Sequence, residues 1–271
     1  MYRNLLVAHD LSVEADIAVR RAAQLAHQHG ASVTLLHVIE EFFPDRMMDT
    51  VREAAEVALR DAARASGIAD YQLVIRQGRA ANTVTQAVQE LGADLLVIGA
   101  HHQQLLERFD GTTLERIARH CRAPILLAVE ESAAPYTKAL AGLDLSHCSC
   151  QAWRAGYRLL EPAAELLALN AYQPGKKAGR ADSHLETQRE LLRQALQDER
   201  NHVPSTGPQL LCAVQQGTAQ QALETALREW SPDLLILGSR SRSRGAIEQA
   251  MLGSSTRYFL RRPPCDVLIS Q

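Results

Sequence analysis

The chain has 271 residues, a formal charge of −2 at pH 7, and 46% hydrophobic but only 4% aromatic residues. This length suggests two domains of ordinary size, and the near-neutral charge argues against a dedicated nucleic-acid-binding protein, which usually presents a basic face. No apolar run is long enough to cross a bilayer, and Met1 leads directly into a strand pattern without the layout of a secretory signal. Five cysteines without a C-x-x-C pair fit reduced thiols. The sequence therefore predicts a soluble cytoplasmic protein with no membrane or nucleic-acid partner.

The first half of the chain alternates strand and helix patterns. Short apolar runs bounded by turn residues are typical of buried strands, and longer segments with apolar residues every three to four positions are typical of helices. Strands are predicted at Asn4–His9, Ser32–Ile39, Tyr71–Arg76, Asp94–Ile98 and Pro124–Val129, and helices at Val13–His29, Met47–Ala65, Ala81–Leu91 and Thr112–His120.

The second half repeats this alternation after a predicted linker, Glu131–Tyr136, which contains alanines and a proline. Strands are predicted at Lys138–Leu143, Ala164–Ala171, Leu210–Val214, Asp233–Leu237 and Cys265–Ser270, and helices at Cys148–Leu160, His184–Asn201, Ala219–Trp230 and Ser254–Arg261. Strict alternation predicts parallel strands joined by right-handed crossovers, with helices on both faces of each sheet. The fold class is therefore α/β, in two tandem domains at residues 1–134 and 135–271.

The two halves also share sequence landmarks in the same order, which indicates an internal duplication. The matched pairs are Leu6–Ser12 with Leu140–Ser146, Gly78 with Gly217, Asp94–Gly99 with Asp233–Gly238, and Gly111–Thr113 with Gly253–Ser255. Small differences in the spacing between these landmarks show where each copy has gained or lost loop residues.

A glycine-containing loop follows the fourth predicted strand of the second half. Gly238 ends the apolar run, and glycine lets a backbone turn sharply and approach a ligand closely. Arg240, Arg242 and Arg244 follow, and Gly253-Ser254-Ser255 opens the next helix, where exposed N–H groups favour an anion. Neither G-x-x-x-x-G-K-[ST] nor G-x-G-x-x-G is present after Leu237. The pattern predicts a different kind of phosphate-binding loop, and the alternative is a solvated charged loop.

An aspartate follows the first strand of each half, as Asp10 and Asp144. Ligands of parallel α/β sheets bind at the carboxyl ends of the strands, so Asp144 and Gly238 are predicted to lie at the same edge. Each aspartate could instead be a helix N-cap, a role that stabilises a helix by about 1 kcal/mol. The sequence leaves both roles open.

These residues resemble the universal stress protein family, twice along the chain. Nucleotide-binding members carry G-2x-G-9x-G-[ST] after the fourth strand and an aspartate after the first. The second copy has Ser241 in place of the second glycine and two extra loop residues, whereas the first copy has His102 there and one residue fewer. The resemblance implies a flavodoxin-like, adenine-nucleotide-hydrolase-like sheet of five parallel strands, order 3-2-1-4-5, in each half. It also implies pairing of the two halves through their last strands.

The resemblance further implies an adenine nucleotide, ATP or AMP, with Mg²⁺ possible beside ATP. We favour the second half as its site, because Ser241 is small and the loop arginines occur only there. The predicted site residues are Asp144, Leu145 and Ser146 near the nucleoside, Ala171 at the base, and Gly238, Arg240, Ser241, Arg242, Gly253, Ser254 and Ser255 at the phosphates. A weaker set in the first half is Asp10, Gly99, His101, Gly111, Thr112 and Thr113.

We expect a nucleotide-responsive binding module in a stress response rather than an enzyme, since no Ser/His/Asp arrangement, paired acidic motif or H-E-x-x-H sequence appears. A metal site is not expected, because no nearby ligands complete a set around His101. The alternatives are a nucleotide-free scaffold for protein or small-molecule partners and a weak ATPase. A homodimer of tandem chains is compatible with the sequence.

Overall fold

The computed structural model describes residues 1–40, 43–100, 112–173, 181–240 and 252–271. Within these residues the chain forms ten strands and eight helices, which confirms the predicted α/β class. It divides into two compact units, Met1–Ala134 and Pro135–Gln271, here called unit 1 and unit 2. The division falls inside the predicted linker. No helix in the described part of the chain is both long and apolar enough to span a membrane.

Unit 1 contains one five-stranded parallel sheet. Its strands pair in the order β3-β2-β1-β4-β5, as predicted. Its elements are β1 (Asn4–Ala8), α1 (Val13–His29), β2 (Ser32–Ile39), α2 (Asp45–Ala65), β3 (Gln72–Gln77), α3 (Ala80–Glu90), β4 (Leu95–Gly99), α4 (Thr113–His120) and β5 (Ile125–Ala128).

Unit 2 repeats this topology. Its strands pair in parallel in the order β8-β7-β6-β9-β10, the same spatial order as in unit 1. Its elements are β6 (Lys138–Gly142), α5 (His147–Tyr157), β7 (Glu165–Tyr172), α6 (Ala181–Arg200), β8 (Gln209–Gln216), α7 (Ala219–Trp230), β9 (Leu234–Gly238), α8 (Ser254–Arg261) and β10 (Asp266–Ser270).

The central strands are apolar along their length because helices cover both faces of each sheet. In β9, Leu234 and Leu235 are fully buried and Ile236 is 1% exposed. In β1, Leu6 and Val7 are fully buried as well. Two-sided burial explains why these strands appear in the sequence as continuous apolar runs rather than as an alternation of apolar and polar residues.

The N-cap alternative for the two aspartates is wrong. The N-caps of α1 and α5 are Ser12 and Ser146, whose side-chain oxygens accept the N–H groups of Ala15 and Ser149. An N-cap side chain accepts the N–H of the second or third helical residue, and each aspartate precedes the N-cap serine by two positions. Asp144 Oδ1 instead accepts the Ser146 N–H at 3.0 Å, in the turn before the helix.

Helix α5 ends earlier than predicted, at Tyr157 rather than Leu160. The next two amides donate to carbonyls three residues back, from Leu159 to Gly156 and from Leu160 to Tyr157. Such tighter turns are common at helix ends. Because Leu159 and Leu160 remain buried, their apolar character extended the predicted helix beyond its actual end.

Candidate functional site

A pocket opens at the carboxyl ends of β6, β7 and β9 in unit 2. It holds about 700 Å³ of empty space when the open solvent at its mouth is counted. Its lining residues come from these strand ends and from the starts of α5, α7 and α8: Gly142, Leu143, Asp144, Ser149, Leu169, Ala171, Ala219, Ala222, Leu223, Leu237, Gly238, Arg240, Gly253, Ser254, Ser255 and Thr256.

The turn after β6 places Asp144 at the edge of this pocket. The Leu143 N–H donates to the Leu169 carbonyl at 2.9 Å, which continues the β6–β7 ladder by one residue. The buried Asn170 side chain donates to the Leu143 carbonyl at 2.7 Å. Leu145 then adopts a φ of 61°, a left-handed conformation that is uncommon for leucine. Fixing the backbone on both sides of Asp144 holds its carboxylate at the strand end.

Hydrogen bonds join the two described ends of the predicted phosphate-binding loop, Ser239 and Gly253. The Ser239 N–H donates to the Ser270 carbonyl at 2.7 Å, and the Gly253 N–H donates to the Ser239 carbonyl at 3.0 Å. The buried Thr256 hydroxyl donates to the Gly238 carbonyl at 2.8 Å. These bonds place Arg240 and the first turn of α8 side by side at the pocket.

The first turn of α8 has no side-chain cap. Its N-cap is Gly253, so no side-chain oxygen of that residue accepts the N–H groups of Ser254, Ser255 or Thr256. In unit 1 the helix of the same position, α4, begins with Thr112, whose hydroxyl accepts the Glu115 N–H at 3.2 Å. Uncapped N–H groups at a positive helix end favour an anion, and Arg240 adds a positive charge beside them.

Part of the pocket lining is apolar. Leu143, Leu169 and Leu237 come from the sheet and Leu223 from α7, and all four are at most 4% exposed. Ala171, at the end of β7, also lines the pocket and takes up little of its volume because its side chain is a single methyl group. A pocket that combines an apolar surface with a cationic group suits a molecule with a flat hydrophobic part and an anionic part.

Seven of the predicted residues of unit 2 line this one pocket: Asp144, Ala171, Gly238, Arg240, Gly253, Ser254 and Ser255. Leu145 and Ser146 lie in the adjacent turn, and the lining formed by the described residues does not include them. Ser241 and Arg242 lie outside the described residues.

The sequence analysis missed the contribution of helix α7, from Ala219, Ala222 and Leu223. These three residues are spaced to lie on one face of a helix, which predicts that the face is buried but not which part of the protein it covers. It also missed Ser149, which lies in the first turn of α5, and Thr256, which follows the predicted Gly253-Ser254-Ser255.

In unit 1 the predicted residues occupy the matching places. Asp10 follows β1, Gly99 ends β4, Thr112 caps α4 and Thr113 begins it. His101 and Gly111 lie outside the described residues. The Ser12 hydroxyl donates to Asp10 Oδ1 at 2.5 Å, and the Ser12 N–H donates to the same oxygen at 3.0 Å. The side-chain chemistry around Asp10 therefore differs from that around Asp144.

His9 stands in unit 1 where unit 2 has Leu143. Its ring is buried, its Nδ1 accepts the Leu11 N–H at 3.0 Å, and its Nε2 lies 3.0 Å from Asp16 Oδ1. Because Nδ1 accepts a hydrogen bond, the neutral ring carries its proton on Nε2 and donates it to Asp16. Burial lowers the pKa of His9, although the neighbouring Asp16 and Asp10 carboxylates act in the opposite direction.

Among the described residues, no group of three or more His, Cys, Asp or Glu side chains is arranged to hold a metal ion. The described lining of the unit 2 pocket includes main-chain N–H groups, hydroxyls, the Arg240 guanidinium and the Asp144 carboxylate.

Comparison with known proteins places the whole chain in one family. The model of the universal stress protein family matches residues 1–128 and 135–271. A universal stress protein from Archaeoglobus fulgidus, solved by crystallography, is 16% identical with a TM-score of 0.75, and the match covers 99% of this chain and 98% of that one. A crystal structure from Pseudomonas aeruginosa UCBPP-PA14 is 17% identical with a TM-score of 0.64 and covers 99% and 93%. The universal stress protein A homolog of Haemophilus influenzae is 28% identical over 123 residues, which are 42% of this chain and 86% of that protein.

Proposed function

Because the chain belongs to the universal stress protein family, we propose that it acts in a stress response as a nucleotide-responsive binding module. Unit 2 binds the adenine nucleotide, ATP or AMP, with Mg²⁺ accompanying ATP. The observation that carries this proposal is the convergence of seven predicted residues, from three strand ends and one helix start, on one pocket.

The phosphates bind at the first turn of α8. Gly253 has no side chain that could accept the N–H groups of Ser254 and Ser255. The partial positive charge of the helix N-terminus adds to the guanidinium charge of Arg240. The helix also has its own hydroxyls at Ser254 and Ser255, which can donate to phosphate oxygens.

The nucleoside occupies the apolar part of the pocket. The base packs on Leu143, Leu169 and Leu223, and Ala171 provides the space that a flat ring needs. Asp144 follows the apolar Leu143 in the pocket lining, and its carboxylate accepts hydrogen bonds from the ribose hydroxyls. In this assignment, each part of the nucleotide contacts pocket residues of matching polarity.

A partner recognises the nucleotide-bound state of unit 2. The ligand can favour that state only to the extent that it binds it more tightly than the unbound state. We expect no rapid turnover of the nucleotide. The pairing of the two units through their last strands, and a homodimer of whole chains, stay predictions from the family resemblance.

The test is a thermal-shift titration of the full chain with ATP, ADP and AMP. A ligand at about 100 times its Kd stabilises the folded protein by about 2.7 kcal/mol, which gives a clear rise in Tm. Gly253→Arg should abolish the rise because its side chain fills the phosphate position, while its φ of −56° suits any residue. The control is Ala65→Arg, at an exposed position in the last turn of helix α2 in unit 1, which should keep the rise.

Three results would contradict the proposal in different ways. No Tm change with any nucleotide would favour the nucleotide-free scaffold. A rise that survives in Gly253→Arg would place the ligand elsewhere. Steady phosphate release from ATP that disappears in Asp144→Ala would favour the weak ATPase.

A further inference from the structure

Ser149 is a buried polar residue in the wall of the unit 2 pocket. It is 3% exposed and lies in the first turn of α5, three residues after the N-cap Ser146. In unit 1 the residue three positions after the N-cap Ser12 is Ala15, which has no side-chain polar atom. The sequence analysis did not select Ser149, because a single serine within a helix carries no pattern.

The two N-cap serines use their hydroxyl protons differently. Both oxygens accept the N–H of the third helical residue at 3.2 Å. The Ser12 hydroxyl then donates to Asp10 Oδ1 at 2.5 Å. The Ser146 hydroxyl instead donates to the Ser149 Oγ at 3.3 Å, and the Ser149 hydroxyl donates to the Ser146 carbonyl at 3.0 Å.

We propose that Ser149 is a positioning residue that keeps the Ser146 hydroxyl away from Asp144, so that the Asp144 carboxylate accepts the ribose hydroxyls of a bound nucleoside. This inference rests on the proposed function of unit 2. A hydroxyl has one proton, so donation to Ser149 and donation to Asp144 exclude each other. A hydroxyl that donates to a carboxylate takes one of its acceptor sites, and a ligand hydroxyl then has fewer sites left on that carboxylate.

The same comparison gives a reason why unit 2, rather than unit 1, is proposed to bind the nucleotide. In unit 1, Ala15 offers the N-cap serine no hydroxyl partner, and Asp10 receives both the N–H and the O–H of Ser12. In unit 2, the Ser146 N–H donates to Asp144 Oδ1, whereas the Ser146 hydroxyl donates to Ser149. This distinction does not depend on the glycine pattern of the phosphate loop.

The experiment is isothermal titration of the full chain with two ligands, AMP and 2′,3′-dideoxyadenosine monophosphate, which lacks the ribose hydroxyls. Ser149→Ala should bind AMP about fivefold more weakly than the wild type, as expected for the loss of one hydrogen bond of about 1 kcal/mol. Its affinity for the dideoxy ligand should not change. Ser149→Ala should fold normally, because unit 1 has alanine at this place and the same serine cap.

The control is Cys148→Ala, the neighbouring residue in the same helical turn, which is not among the residues lining the pocket. Its affinity for both ligands should equal that of the wild type. A crystal structure of Ser149→Ala should show the Ser146 Oγ within hydrogen-bond distance of Asp144, as Ser12 is of Asp10. This second measurement needs no ligand.

The outcomes separate the inference from the function on which it rests. A wild type that binds neither ligand overturns both. A wild type that binds AMP, with equal AMP affinity in Ser149→Ala, overturns the role of Ser149 alone. An equal loss of affinity for both ligands would show general damage to the pocket, and it would also overturn that role.

Discussion

Gly238 packs directly against the backbone of Ser149: a Cβ at Gly238 would lie 2.8 Å from the Ser149 nitrogen and 3.0 Å from its Cα. Gly99 has the same relationship to α1 in unit 1, with a Cβ position 2.5 Å from the Glu14 carbonyl oxygen. The glycine that ends the fourth strand is therefore required for the close approach of the first helix of each unit. Its place in the lining of the unit 2 pocket is a second consequence of the same geometry.

We expect Gly238→Ala to destabilise the protein by about 1–3 kcal/mol, because the added methyl group must push α5 away from β9 and overpacked cores cost energy of this size. The measurement is the free energy of unfolding in urea. Gly142→Ala is the control, since a Cβ there would meet only the Leu237 and Leu223 side-chain ends, at 3.1 Å and 3.4 Å. Equal stability of the two variants would contradict the packing role of Gly238.

His9 makes the stability of unit 1 depend on pH. Burial lowers the pKa of His9 below the ordinary value of 6.5, and the nearby His37 lowers it further. The Asp16 and Asp10 carboxylates raise this pKa, but by less than burial lowers it. Below about pH 6.5 the unfolded chain therefore binds a proton that the folded chain does not, so the free energy of unfolding falls as the pH drops through the folded-state pKa. Protonation would also remove the acceptor of the Leu11 N–H.

His9→Gln should reduce this acid sensitivity, because glutamine does not titrate. The measurement is the free energy of unfolding between about pH 7.5 and pH 5.5, where the variant should show a shallower slope than the wild type. Part of the slope should remain, since burial also lowers the pKa of His29. An unchanged slope would mean that His9 takes up its proton equally well in the folded and unfolded chains.

The cysteines should react with thiol reagents at very different rates. Burial raises the pKa of Cys121 to about 11, and burial together with Glu199 raises the pKa of Cys150 to about 11. At about pH 8 only about one in a thousand of these side chains is then the reactive thiolate. Cys212 is exposed on β8.

We expect Cys212 to be modified first by iodoacetamide, and Cys121 and Cys150 to be modified only after unfolding. Peptide mass spectrometry at increasing times measures this order. Cys212→Ser should remove the early modification and leave the slow ones as they are. Early labelling of Cys150 in the folded protein would contradict the expected order.

Arg21 fastens the segment between the two units to helix α1. Its side chain is buried, and its guanidinium donates to the Ala134 carbonyl at 2.6 Å and to the Ser132 carbonyl at 2.8 Å. Arg21→Met should lower the free energy of unfolding by about 2 kcal/mol, because hydrogen bonds from a charged donor are lost while the apolar stem is kept. It should also speed protease cleavage between residues 130 and 136.

The control for this prediction is Arg20→Met, a half-buried neighbour on the same helix. Its stability should stay within about 0.5 kcal/mol of the wild type, as for most substitutions away from special contacts. Limited proteolysis followed by mass spectrometry of the fragments checks both variants. Equal cleavage rates for the wild type and Arg21→Met would show that the two carbonyl contacts do not hold the segment.

The α/β class, the duplication and the strand order could be predicted because they depend on local patterns that occur twice. The apolar runs such as Leu234–Leu237 are continuous because the strands are covered on both faces, and they end at glycines that turn the chain. Parallel alternation brings the strand ends to one edge, so the sequence alone predicts that Asp144 and Gly238 lie together.

Other features depend on distances between segments that are far apart in the chain, and only the tertiary structure decided them. The sequence could not show that Gly238 lies against Ser149, that α7 provides one wall of the pocket, or that Asp144 precedes the N-cap rather than forming it. The sequence also could not show that the Ser146 hydroxyl donates to Ser149 rather than to Asp144. A hydrogen-bond partner is selected by positions within a few tenths of an ångström, and residue order alone does not determine such positions.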